Sequence, residues 1–71
     1  MARGDHAAAL IAIDAALAAG PPNRAEARTD RAEALLKLGR RDESRREIML
    51  VLQDAPSYAR AQDILLETMG R

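Results

Sequence analysis

Residues Leu35-Leu36-Lys37-Leu38-Gly39-Arg40-Arg41-Asp42-Glu43-Ser44 read as the end of one helix, a tight turn and the start of the next. Gly39 stops the first of these helices, because glycine adopts the left-handed conformation that closes a helix without a Cβ clash. Working backward, the helix that ends at Leu38 starts near Asn23, a good N-cap, with Glu26 three residues on as in a capping box. Ala25, Ala32, Leu35 and Leu36 are expected on its inner side. Working forward, the next helix spans about Asp42 to Asp54, with Ile48, Val51 and Leu52 as its core stripe.

The other strong breakers are Gly4, Gly20-Pro21-Pro22 and Ala55-Pro56-Ser57, and they delimit two further helices. One runs from about Asp5 to Ala19 with a stripe of His6, Leu10, Ile13 and Leu17. The last begins after Pro56, with Ser57 as the expected cap, and carries Tyr58, Ala61, Leu65 and Met69 on one face before Gly70. The expected fold is therefore all-α: a single domain over 1–71 with helices at about 5–19, 23–38, 42–54 and 57–69. Connections this short force successive helices to run antiparallel. Composition agrees, since alanine, leucine, arginine and glutamate dominate, and phenylalanine and tryptophan are absent.

The segments repeat. At an offset of 35, Ala9, Ile13, Ala16 and Leu17 align with Ser44, Ile48, Val51 and Leu52; at an offset of 34, Ala25, Ala27, Glu33 and Leu35 align with Ala59, Ala61, Glu67 and Met69. One extra residue in the Gly20-Pro21-Pro22 turn reconciles the two. Paired helices with this period, the turn from Leu35 to Ser44 and the closing Pro56 resemble the tetratricopeptide repeat. In that family small residues at places such as Ser44 let helices approach closely, while a bulky residue such as Ile48 fills the space between hairpins. The resemblance implies a second half-repeat, one full repeat and a first half-repeat, about two repeats in all. Arg28 and Arg31 replace a large aromatic residue and a leucine of the family pattern, and are expected to point to solvent as in a capping element.

The resemblance further implies a non-enzymatic protein-interaction module. Its partner groove would be lined by Glu26, Thr29, Glu33, Leu36, Lys37, Arg60, Asp63 and Glu67, a mostly acidic wall suited to a basic peptide or helix. The C-terminal helix, from Ala59-Arg60-Ala61-Gln62 to Met69-Gly70, also resembles the helical-repeat extension of some bacterial thioredoxin-like chaperones. A structural role is the alternative, as a self-association element or the docking tail of a larger assembly. About two repeats fall short of the three or more that usually enclose a continuous core. Moreover, five successive apolar residues, Ile48 to Leu52, cannot all face one small core. Met49, Leu50 and, on the first helix, Ile11 are the expected oligomer interface, and a homo-oligomer is the expected state.

Other classes are disfavoured. With 71 residues and no cysteine, neither disulfides nor the usual zinc ligands can reinforce the small core, so no metal or cofactor is expected. His6 is the sole plausible general base, and its sequence neighbour Asp5 is claimed by capping. Eleven basic residues balance eleven acidic ones, and the arginines of 40–46 interleave with acids, Asp42 and Arg46 at pairing distance on a helix. With Tyr58 the only aromatic residue, nucleic-acid binding is not expected. No apolar stretch is long enough for a membrane span, and Met1-Ala2-Arg3-Gly4-Asp5 opens no signal-peptide pattern, so a cytoplasmic protein is expected. Its arginine and alanine content fits a bacterial genome rich in G and C.

Overall fold

The computed structural model describes residues 5–20 and 23–70. Four helices follow one another: α1 (His6–Ala18), α2 (Arg24–Lys37), α3 (Arg41–Asp54) and α4 (Ala59–Met69). No strand occurs among the described residues, and the fold is an all-α set of helical hairpins. The expected breakers Gly4, Pro21 and Pro22 lie outside the described residues.

Caps set the boundaries. Asp5 accepts a hydrogen bond from the Ala8 amide at 3.0 Å, and Asn23 accepts one from the Glu26 amide at 3.0 Å, each satisfying an amide that the helix start leaves orphaned. Glu26 reaches back to the Asn23 side-chain amide, which donates to it at 3.4 Å. At the other end of α2, Gly39 sits at φ +81°, the Gly39 amide donates to the Leu36 carbonyl and the Arg40 amide to the Leu35 carbonyl. This pair of bonds is the Schellman closure, and it requires the left-handed residue between them.

Two boundaries differ from expectation. Helix α3 begins at Arg41 rather than Asp42, with Arg40 in the cap position and no side-chain cap bond. Helix α4 begins two residues later than expected, and its cap position is Tyr58, not Ser57. The reason is a turn after α3: the Tyr58 amide donates to the Ala55 carbonyl at 3.1 Å, and the Gln62 side chain donates to the Pro56 carbonyl at 2.8 Å. The turn consumes Pro56 and Ser57 before helical geometry resumes.

The packing order is sequential with one skip. Helix α2 packs on α1, α3 and α4, and α3 packs on α4, whereas α1 meets α2 alone. The main core gathers Ala32, Ile48, Val51, Ala61 and Ile64, with Tyr58, Leu36, Leu52 and Leu65 half-buried around it. A smaller cluster, Leu10 with Ala34 and Leu35, joins α1 to α2. Side chains as fully buried as Leu35, Ile48 and Val51 contribute roughly 1.5–3 kcal/mol each. Close approach of α2 and α3 depends on small residues, as expected: Ala32 and Ser44 are fully buried, and the Ser44 hydroxyl donates to the Ala32 carbonyl at 2.7 Å.

Two expected stripes shift. On α4 the buried positions are Ala61, Ile64 and Thr68, while Met69 is 63% exposed. The face is turned toward Ile64 because α4 wedges against both α2 and α3, leaving its far side without a neighbour. On α1 only Leu10 is buried, and His6, Ile13 and Leu17 are half-exposed, because a helix touching one neighbour buries a narrower face.

Candidate interaction surface

Arg28 and Arg31 do not point freely to solvent. Glu47 of α3 is buried, and its two carboxylate oxygens accept hydrogen bonds from Arg28 at 2.9 Å and Arg31 at 3.2 Å. Arg31 also donates through Nε to Asp14 of α1 at 2.6 Å. A relay Asp14–Arg31–Glu47–Arg28 thus crosses three helices and ties α1 to α3, which have no direct packing contact. The hydrogen bond to Asp14 raises the Arg31 pKa further above its ordinary value, outweighing the effect of burial.

The expected acidic groove is altered in the same way. Thr29 is fully buried, and its hydroxyl donates to the Ala25 carbonyl at 2.7 Å one turn earlier, so it cannot face a ligand. Arg60 reaches from α4 to α2 and donates to Asp30 at 2.6 Å and Glu33 at 2.9 Å. Burial lowers the Arg60 pKa, but those bonds and the Tyr58 hydroxyl more than offset it, and the net shift is upward. Glu33 and Arg60 therefore neutralise each other across the proposed wall. Leu36 packs half-buried on the core, Glu26 is held at the α2 cap, and Lys37, Asp63 and Glu67 remain exposed. A cavity of about 370 Å³ between α1 and α2 brings His6 near Asp30, Glu33 and Lys37. There the two carboxylates are already committed to Arg60, and no cluster of metal-ligating side chains occurs among the described residues.

In the arginine-rich stretch, Asp42 lies 3.9 Å from Arg45 rather than pairing with Arg46, and Arg40 pairs with Glu43. Interleaved acids thus neutralise much of its charge locally. The hydrogen bond from Arg40 holds the exposed Glu43 carboxyl below the usual carboxylate range.

An open apolar surface lies between α3 and α4. Arg45, Met49, Leu65 and Met69 line a groove of about 500 Å³. Met49 is 54% exposed, and the neighbouring Leu66 is 65% exposed. Arg45 donates to the Thr68 carbonyl at 3.2 Å, while its buried Nε has no hydrogen-bond partner among the described residues. Of the three residues expected at an oligomer interface, Met49 belongs to this groove. Leu50 is exposed on α3 and Ile11 on α1, helices that do not pack together, so the three do not form one patch.

Sequence reasoning missed Leu66 and Met69 as surface residues, although the repeat contains the signal. Shifted by one repeat, Met49, Leu65 and Met69 correspond to Asp14, Arg31 and Leu35. Inside the molecule those positions are covered by the ionic relay and by packing; at the α4 end their apolar counterparts stand open.

Comparison with known proteins finds no matching family model, no similar curated protein and no similar solved structure.

Proposed function

We propose that the chain is a non-enzymatic, tetratricopeptide-like interaction module that receives a helix of a polypeptide partner on its α4 end. The observation that carries this reading is the open apolar groove of Met49, Leu65 and Met69 with Leu66 beside it. Several large apolar side chains exposed together signify a docking surface more often than scattered single ones do. Methionines suit such a surface, since their unbranched side chains adapt to an incoming partner. The packing order, in which α4 touches both helices of the hairpin before it, supports the repeat reading. Because Arg60 already occupies Glu33, the acidic groove is the weaker candidate.

Selection of a displayed random-peptide library on the wild-type chain tests the reading. Amphipathic helical sequences should be enriched, and their binding should be lost on Met69→Glu but retained on Glu67→Lys. Enriched peptides that ignore Met69→Glu and depend on Glu67 would move the site to the acidic groove.

A further inference from the structure

We infer that the occupant of the α4 end is helix α1 of a second copy of this chain, docked head-to-tail in the register in which α3 docks on α2. The inference rests on the interaction reading above and names its partner.

The repeat offsets make the argument concrete. Helix α4 corresponds to α2 at an offset of 34, and α1 corresponds to α3 at an offset of 35. The internal α2–α3 joint therefore specifies how an α4–α1 joint between copies would be built. At the internal joint, Ser44 sits on Ala32; between copies, Ala9 would sit on Leu66. Leucine is larger than the alanine it replaces and alanine is no larger than serine, so the two copies would sit farther apart at this point than α2 and α3 do, a spacing that a joint between separate chains can adopt. Further along, Glu47 lies between Arg31 and Arg28; between copies, Ala12 would lie between Leu65 and Gln62. Every charged member of the relay is replaced by a neutral one, including Asp14 by Met49, so none of the relay positions leaves an unpaired ion at the joint. Both faces are free: Ala9, Ala12 and Ala16 are exposed, Ile13 is half-exposed, and Leu66 and Met69 are open on α4.

Two charged positions need a partner at the new joint. Asp30 stands where the core residue Ile64 stands one repeat later, and Arg60 of its own chain already neutralises it. Glu26 stands where Arg60 stands one repeat later, and would meet Glu67 of the other copy as Arg60 meets Glu33. This rim contact between like charges weakens the joint and makes its strength adjustable. A joint between two different faces is heterologous, so addition continues from copy to copy rather than closing as a two-fold dimer.

The chain has no cysteine, which permits a direct test with Ala9→Cys and Leu66→Cys, two exposed positions. Mixed under mild oxidation, the two variants should form a disulfide-linked heterodimer, each alone should give no disulfide-linked species, and the double variant should give a disulfide-linked ladder of multimers. Adding Glu26→Arg to the Ala9→Cys chain should increase the heterodimer yield, because it restores the Arg60–Glu33 type of contact. Circular dichroism of each variant checks that helicity is retained. Dimerisation of Leu66→Cys alone would overturn the proposal in favour of symmetric α4 packing. Absence of any cross-link at millimolar concentration with wild-type helicity would overturn it too; peptide selection that still depends on Met69 would then leave the interaction reading standing with a different partner.

Discussion

Glu47 is the buried carboxylate on which two interhelical ion pairs converge. Its carboxylate is buried while Arg28 and Arg31 keep about 30% of their side-chain surface, so water partly compensates the arginines if Glu47 is lost. Glu47→Ala is expected to destabilise the fold by about 1–2 kcal/mol in urea titration, below the full cost of breaking a buried pair. The triple change Arg28→Gln, Arg31→Leu, Glu47→Ala, which copies the α4-end pattern, should recover part of that loss, because no buried charge is left unpaired. At Glu43 the effect is on pH dependence. Its pKa is lowered in the fold, so its stabilisation is present above the unfolded carboxylate range and is lost as pH falls through the lowered value. Melting temperatures of the wild type and Glu43→Gln should therefore differ slightly at neutral pH and converge in acid. The role of Glu47 was not legible in the sequence, because a glutamate among arginines reads as a solvated helix face. Only the fold brings it opposite Arg28 and Arg31, which lie 19 and 16 residues away.

At the scale of elements, helix ends marked by Asp5, Asn23 and Gly39 were legible because each depends on local chemistry within a few residues. Gly39→Ala should cost about 1 kcal/mol, since the space around a new Cβ is open and the penalty comes from the positive φ alone. The start of α4 was misread because its turn is fixed by Gln62, a residue inside the helix that follows. Its buried stripe was misread because periodicity identifies a face but not how many neighbours will cover it. Ser44 and Ala32 meet fully buried where α2 and α3 pack, joined by a hydrogen bond. Ala32→Leu should be destabilised by about 1–3 kcal/mol through overpacking, measured by urea titration with helicity followed at the same time.

As a whole the molecule is a slab, with extents of 34 × 32 × 17 Å, in which α2, among the described helices, alone touches all the others. Helix α1 hangs from α2 by the Leu10 cluster and by the Asp14–Arg31 pair, and should be the first element to open. Hydrogen exchange should accordingly be fastest in α1 and slowest where α2 and α3 meet at Ala32 and Ser44, and Asp14→Ala should speed exchange in α1 more than elsewhere. The four-helix order was legible from breakers and repeat spacing, while the placement of the open apolar surface depended on which helix ends lack a neighbour. Tyr58, packed at the start of α4 and beside Arg60, has an optical consequence. As the only aromatic residue, it makes ultraviolet emission a report from one site, the α3–α4 corner, with no signal from α1. Heating followed in emission and in far-ultraviolet dichroism should give two separated curves, dichroism falling first, as the α1 helix melts while the corner around Tyr58 stays lit unchanged.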